Sequence, residues 1–350
     1  MITVDGVDVW LAPPDGSHVN FTSPQRDIAT VTASYCAFGI TLMVPVILGP
    51  SLYATHYIRG KWHIENYMII LASILTLASG ILTFICLGNG VLGVHVWEMS
   101  MDDAIWEKKA ILATLLLGIL GTTLARLGFC ILYYRIDPSR LRRYAIIGTA
   151  VLIIISSVVV WFGLLFACRP VEALWNLRMP TEAHCMNSYP LHILHAIVGG
   201  LADLIIIFLI LRTTLPLQMP WKKKVVSMAP FSNGLLTTGA AVARLAILMT
   251  GLKKPDTTFV LAQVAVCLIF ETSFAIICGA LPNFCKFIKR FMLGISGNSQ
   301  SLTDLGMNWG QGSGFKAHAL HTIGGTRMNG EPNPSDETRH HRSSEALITM

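Results

Sequence analysis

Charged residues are scarce in this chain, whereas apolar residues are abundant. Asp, Glu, Lys and Arg make up 13% of its 350 residues, and hydrophobic residues make up 53%. Soluble globular domains usually carry about 25% charged residues, so the composition excludes an ordinary soluble domain. The sequence also lacks the HExxH, GxSxG, Walker and dinucleotide-binding glycine motifs of common enzyme classes. We therefore predict a membrane protein that is not an enzyme.

Seven apolar runs are long enough to cross a bilayer as helices. About 20 mostly apolar residues are needed for each crossing, and charged or turn-forming segments separate the runs. They occupy residues 31–54, 65–88, 110–133, 145–168, 190–212, 225–250 and 259–282. The fourth run contains no charged residue, which favours a membrane span over a buried soluble helix. The predicted fold class is all-α, a polytopic membrane protein with a seven-transmembrane-helix bundle.

Basic residues are distributed unevenly between the two sets of loops. With the N-terminus placed outside, the inner segments contain 13 Lys and Arg residues and the outer segments contain seven. Cytoplasmic loops carry the excess of basic residues, so we predict an outer N-terminus and an inner C-terminus. The net charge of +6 then lies beside anionic membrane lipid. A nucleic-acid partner is not expected, because there is no soluble basic face.

The same orientation divides the chain into three parts. Residues 1–30 are predicted to be a short extracellular segment, 31–292 the seven-helix domain, and 293–350 a disordered cytoplasmic tail rich in polar residues. The start of the chain does not resemble a secretory signal peptide, so the first span is expected to act as an uncleaved anchor. Asn20 begins the triplet Asn20-Phe21-Thr22, a glycosylation sequon on the predicted outer side. An unused triplet is the alternative.

Cysteine is too sparse to form a dense disulfide framework. Six of the eight cysteines lie in or beside apolar spans, where cysteine mostly behaves as a small hydrophobic residue. Cys168 and Cys185 differ, because both fall on the predicted outer side, where the compartment is oxidising. We predict a disulfide between them, with two free thiols as the alternative.

Four charged residues lie inside the apolar spans, and such residues usually face the bundle interior and pair. They are Arg126, Asp203, Arg244 and Glu271. Arg126 and Asp203 each lie nine residues before a basic residue at an inner flank, which places both at a depth of about 13 Å. We therefore expect them to pair between the third and fifth helices.

The second pair of charges is predicted less directly. Counted from Lys224, Arg244 lies about 30 Å along its helix, near the outer face, where its side chain could snorkel. Glu271 lies near the middle of the membrane. A contact between these two side chains therefore requires helix tilt or a bridging water.

Helical spacing places further polar residues on the faces of the charged residues. They are His192 and His195 with Asp203, Asn233 with Arg244, and Gln263 with Glu271. One interpretation is a set of interhelical hydrogen bonds that hold the bundle together. The other is a ligand cavity or a switch, in which pairing of Arg126 with Asp203 differs between two arrangements of the bundle.

Several segments together resemble the fungal rhodopsin-like domain family of integral membrane proteins. They are WFGLLFACRPVEALWN followed by Cys185, YYRIDPSRLRR after the third run, Asp203 ahead of LPLQMPWKKK, Arg244 late in the sixth run, and Glu271 before IICGALPNF. The resemblance covers about residues 35–292. It implies a protein similar to G-protein-coupled receptors, in a family that includes surface-sensing receptors of plant-infecting moulds. Some of those receptors carry a cysteine-rich module before the first helix, where this chain has only Cys36.

The resemblance and the composition together suggest receptor-like sensing of an unknown small-molecule ligand at the plasma membrane. A heterotrimeric G protein could dock on the basic segments RIDPSRLRR and MPWKKK, although these charges could also serve only to set topology. The alternative is membrane transport or an accessory role linked to secondary-metabolite biosynthesis. A metal hydrolase is less favoured, since His184, His192 and His195, with Glu98, Asp102 and Asp103, match no metal motif. No retinal is expected, because residues 259–282 contain no lysine for a Schiff base.

Overall fold

The described residues form a bundle of long helices with two short pairs of antiparallel strands. The structure is a computed structural model that describes residues 2–4, 7–9, 24, 26–59, 63–137, 139–178, 184–214, 221–252 and 257–295. The helices are α1 (Ile28–Arg59), α2 (Ile64–Gly88), α3 (Met101–Ile136), α4 (Arg140–Leu165), α5 (Tyr189–Thr214), α6 (Trp221–Gly251) and α7 (Thr257–Ile295). The strands are β1 (Ile2–Val4), β2 (Val7–Val9), β3 (Cys168–Arg169) and β4 (His184–Cys185).

Within these ranges, seven helices are long and apolar enough to cross a membrane. The predicted all-α seven-helix fold is therefore confirmed. Pro45 and Pro50 lie inside α1 without ending it, and Pro190 is the second residue of α5, where its missing N–H is tolerated.

All seven helices begin before their predicted first residue, and α3 and α7 extend furthest beyond their predicted bounds. α3 begins at Met101 and not at residue 110, because Ser100 caps it: its hydroxyl oxygen accepts from the Asp103 N–H at 3.3 Å. Asp102 and Asp103 also occupy the first turn, where negative charge is favoured. At the other end of the chain, α7 continues to Ile295, beyond the apolar run predicted to end at residue 282 and the domain boundary predicted at 292.

α3 and α7 form the centre of the bundle. α7 packs against α1, α2, α3 and α6, and α3 packs against α2, α4 and α7. α4 lies at the periphery, and its apolar side chains point outward, as expected of a surface in contact with lipid. Examples are Ile147, Val151, Ile155, Val158 and Phe162. The large apolar exposed surface thus belongs to a multi-pass membrane protein surrounded by lipid.

Hydroxyl groups inside the bundle find partners despite the apolar surroundings. Many Ser and Thr side chains donate to the carbonyl three or four residues earlier in their own helix, as Thr76 does to Ala72 at 2.7 Å. Others join two helices. Thr123 on α3 donates to Ser157 on α4 at 2.8 Å, and Ser51 on α1 donates to the Ala280 carbonyl on α7 at 3.1 Å. These bonds fix the relative positions of the helices that carry the site.

One end of the bundle, here called the disulfide end, is formed by residues 89–100, 166–178 and 184–188. Cys168 and Cys185 are opposite each other in the β3–β4 pair and form the predicted disulfide. Gly93 has a φ of +83°, which a side chain would strain, and its carbonyl accepts from the Asp27 N–H at 2.9 Å. The connection between α2 and α3 is thereby tied to the start of α1.

Two sequence predictions fall on parts of the chain outside the described ranges. Asn20 is one, and nearly all of the predicted cytoplasmic tail, from residue 296 onward, is the other. Within the N-terminal segment, β1 and β2 form an antiparallel hairpin in which Ile2 is opposite Val9. Val9 is fully buried, and β2 contacts the turn Val96–Glu98 at the disulfide end.

Candidate functional site

Four charged side chains from four helices meet in the middle of the bundle. Arg126 on α3 donates from Nε to Asp203 Oδ1 and from Nη2 to Asp203 Oδ2 on α5, both at 3.2 Å. The same Nη2 also donates to Glu271 Oε1 on α7. Glu271 Oε2 lies 3.3 Å from Arg244 Nη1 on α6. The four side chains thus form a continuous series of ionic contacts, Asp203–Arg126–Glu271–Arg244, which we call the charge network.

The charge network is buried and electrically balanced. Its four residues are between 1% and 6% exposed, and two positive charges face two negative ones. Removing a charge from water is costly, so each member depends on its partners. Loss of one member would leave an uncompensated charge inside the bundle.

Gly199 provides the space in which the Arg126 guanidinium lies. A Cβ at this position would lie 2.8 Å from Arg126 Nη2 and 3.0 Å from Cζ, too close for ordinary contact. Gly199 is one helical turn before Asp203 on the same face of α5. The guanidinium therefore packs against the bare helix backbone while it binds the carboxylate of the next turn.

The expectation that the Arg244 side chain could snorkel at the outer face was wrong. Its side chain is 1% exposed and contacts Glu271 directly, with neither snorkelling nor a bridging water. The error arose because depth was counted from Lys224. α6 has 31 residues, which makes it about 46 Å long against a hydrocarbon thickness of about 30 Å. Lys224 consequently does not mark the edge of the hydrocarbon, and the count overestimates the depth of Arg244.

A small cavity of about 30 Å³ adjoins the charge network. It is lined by polar groups of Arg126, Asp203, Glu271 and Thr237, and by Tyr133, whose buried hydroxyl has no hydrogen-bond partner among the described residues. This volume holds about two water molecules and is far below that of a typical ligand pocket. The cavity, which Arg244 does not line, suits hydration of the charge network in the arrangement that the structure shows.

The other predicted interior residues divide into two groups. His192 and His195 on α5 are buried and share the helical face of Asp203. Gln263 on α7 does not join the charge network: its Nε2 donates to Thr30 Oγ1 on α1 at 3.0 Å. Asn233 lies in α6, but its side chain is outside the described part of the structure.

Thr30 belongs to a short chain of hydrogen bonds at the disulfide end. Its hydroxyl donates to Asp27 Oδ2 at 2.5 Å, and its backbone N–H donates to the same oxygen at 3.1 Å. The hydrogen bond from the Thr30 side chain is the main cause that lowers the pKa of Asp27 below its ordinary value. The Gln263 side chain therefore links α7 to the capped start of α1.

The residues weighed for a metal hydrolase lie in different environments. His184 is exposed in β4, opposite Arg169, whereas His192 and His195 are buried in α5. Asp102 forms an ion pair with Arg178 at 2.5 Å. Among the described residues, no group of three His, Cys, Asp or Glu side chains is arranged to hold a metal ion.

The turn between α3 and α4 is organised by a residue whose role the sequence pattern did not reveal. Asp137 is buried and accepts from Arg142 Nε at 2.6 Å and from Arg142 Nη2 at 2.8 Å. Its carbonyl accepts from Arg143 Nε at 2.8 Å, and Arg135 pairs with Glu65 on α2 at 3.2 Å. Several basic groups of the segment RIDPSRLRR thus have partners within the protein. The sequence did contain a signal for this role, because Asp137 is the acidic residue among the arginines of RIDPSRLRR.

The comparisons with known proteins agree with the geometry. The fungal rhodopsin domain model matches residues 51–290, more than half of the chain. A similar protein from Gibberella zeae, fugralins biosynthesis cluster protein 2, is 25% identical over 302 residues, which cover 83% of this chain and 73% of that protein. No solved structure matches the chain.

Proposed function

Because the chain belongs to the fungal rhodopsin domain family, we propose that it is a receptor-like membrane protein whose charge network switches between two arrangements. The observation that carries this proposal is the position of Glu271, which contacts Arg126 with one carboxylate oxygen and Arg244 with the other. One carboxylate shared by two arginines can favour either. A small rotation of α6 or α7 would transfer it from one arginine to the other.

A purely structural role for the charge network is the competing explanation. Buried ion pairs are an inefficient source of stability, because well-packed apolar residues of similar volume often stabilise a protein as well or better. Charged residues inside membrane spans more often mark functional sites. Four such residues on four different helices favour a function that depends on how those helices are arranged.

Asp203→Asn tests the switch. The substitution keeps the shape of the side chain but removes the charge that holds Arg126, so the balance between the two arrangements should change. We expect altered basal output in the fungus, read from the transcript profile, at unchanged abundance in the membrane. Gly200→Ala is the matched control, because its added methyl group makes only ordinary contact with Ala241, at 3.7 Å. If Asp203→Asn removes the folded protein altogether, the residue is structural.

Coupling to a heterotrimeric G protein is the next step of the proposal. The protein would be purified in mild detergent from the source fungus, with and without a non-hydrolysable guanine nucleotide. A Gα subunit retained without nucleotide and released with it would support a receptor. Reproducible absence of Gα, with other cytoplasmic partners recovered, would favour the second candidate function below.

The predicted orientation and compartment belong to the same proposal. We place the protein in the plasma membrane with residues 1–30 outside and residues 293–350 in the cytoplasm. Glycosidase treatment of the full-length protein tests Asn20, and protease treatment of intact protoplasts tests whether a C-terminal tag is protected. A tag cleaved in intact protoplasts would contradict this orientation.

The second candidate is an accessory or transport role in secondary-metabolite biosynthesis. The name of the Gibberella zeae relative, which refers to a biosynthesis cluster, favours it. Deletion of the gene followed by metabolite profiling separates the alternatives. An exporter should leave total product unchanged but raise its intracellular share, whereas a receptor should change production together with transcription.

A further inference from the structure

Arg244 carries two hydrogen-bond donors without a partner. Its side chain is 1% exposed, and its Nη1 contacts Glu271, but Nε and Nη2 have no hydrogen-bond partner in the described part of the chain. Buried donors without partners are costly, and more so on a charged group. The two donors therefore mark a place where a hydrogen-bond acceptor would be strongly favoured.

These two donors lie on the same edge of the guanidinium. Nε–H and one N–H of Nη2 point in parallel, which is the fork that matches both oxygens of a carboxylate. Arg126 uses this same edge to bind Asp203, with both distances at 3.2 Å. Arg244 thus has free the same edge of the guanidinium with which Arg126 binds a carboxylate of the protein.

The surroundings of Arg244 also favour an anion. Gly200 on α5 lies beside Ala241 on α6, which places the buried His195 about level with Arg244, and imidazole N–H groups can donate to an oxygen. Glu271, the carboxylate that contacts Arg244, is also engaged by Arg126. Glu271 consequently compensates the charge of Arg244 only in part.

We propose that this protein binds an organic acid, whose carboxylate is held by the Nε–Nη2 edge of Arg244 between α5, α6 and α7. The inference rests on the receptor-like function proposed above and names the chemical class of its ligand. A bound carboxylate competes with Glu271 for Arg244. Glu271 is then left to Arg126, so the acid binds one arrangement of the charge network better than the other.

Thermal unfolding of the purified protein provides the first test. Acetate, hexanoate and benzoate are each compared with their primary amide, which keeps the shape but lacks the charge. We expect at least one acid to raise Tm in a concentration-dependent manner while its amide does not, because a ligand of the folded state stabilises it. If no acid exceeds its amide, the proposal is overturned.

Arg244→Lys locates the site. Lysine keeps the charge but not the fork, so the apparent Kd for the acid should weaken by about tenfold or more. Leu248→Met is the matched control: it lies one turn along α6, is fully buried and has no donor. The control should bind the acid like the unaltered protein. Equal binding by Arg244→Lys would overturn the assignment.

Photo-crosslinking of the unaltered protein decides the case in which Arg244→Lys does not fold. A diazirine-bearing benzoate should label peptides that contain His195, Arg244 or Glu271, and excess benzoate should prevent the labelling. Labelling confined to other parts of the chain would overturn the proposal. These binding measurements do not depend on signalling in the fungus. If an acid binds but Asp203→Asn leaves the transcript profile unchanged, the switch is refuted and the binding site is not.

Discussion

Replacing Gly199 with alanine tests how rigidly the charge network is held. The new methyl carbon would lie 2.8 Å from Arg126 Nη2 and 3.0 Å from its Cζ. The guanidinium would have to move away from α5 by about 0.5–1 Å to reach a normal van der Waals separation. The side chain is flexible enough to do so, and only its bonds to Asp203 and Glu271 oppose the movement.

The magnitude follows from those bonds. The two Arg126–Asp203 distances are already 3.2 Å, so a movement of this size breaks both hydrogen bonds. Interhelical hydrogen bonds in membranes average about 0.6 kcal/mol and reach about 1.7 kcal/mol. Two of them therefore correspond to about 1–3 kcal/mol. Alanine in place of glycine returns about 0.5–1 kcal/mol through helix propensity.

Gly200→Ala removes the propensity contribution from the comparison. The position is adjacent on the same helix, and its added Cβ would lie 3.7 Å from the Cβ of Ala241, an ordinary contact. We expect Gly200→Ala to be neutral or stabilising and Gly199→Ala to be less stable than it by about 1–3 kcal/mol. The assay is unfolding in detergent followed by tryptophan fluorescence. Equal stability of the two variants would refute the idea that the guanidinium is held in place.

Three further outcomes are expected. Cys168→Ser should destabilise the protein by about 3 kcal/mol, because the disulfide with Cys185 closes a loop with a sequence separation of 17. Equal free energies of unfolding for this variant and for the unaltered, oxidised protein would contradict this prediction. Asp27 has a lowered pKa in the folded state, so its stabilising contribution is present above about pH 4 and is lost as pH falls through the folded value. Asp27→Asn should therefore flatten the fall in Tm below pH 4, and an identical pH profile would contradict the argument. Incubation with retinal should yield no visible absorption band, because the apolar part of α7 has no lysine; a stable band would refute this.

The fold was predictable because the membrane imposes a simple pattern. Each span must be about 20 apolar residues long, so the seven runs stand out without any knowledge of packing. The Arg126–Asp203 contact was predictable for a similar reason. Each residue lies nine positions before a basic residue at the inner flank of its helix. Equal offsets give equal depth when both helices lie roughly along the membrane normal.

Other parts of the site depend on how the helices pack against one another, which the spacing of residues along a single helix does not predict. The burial of Arg244 was missed because its depth was counted from Lys224, and a long helix does not have to begin at the membrane edge. Gln263 shares a helical face with Glu271, yet it bonds to Thr30, because α1 packs beside α7 at that level. The role of Gly199 depends on where the Arg126 guanidinium lies, which sequence spacing does not specify.

The central claim is that the charge network has two arrangements, and a distance measurement between spin labels on α5 and α7 tests it most directly. One label would occupy Phe208→Cys, an exposed position on α5, and the other the exposed native Cys285 on α7, with Cys36→Ser removing the other exposed thiol. We predict a second population of distances that grows when Asp203→Asn is added. A single distribution that Asp203→Asn leaves unchanged would show that the charge network only holds the helices together.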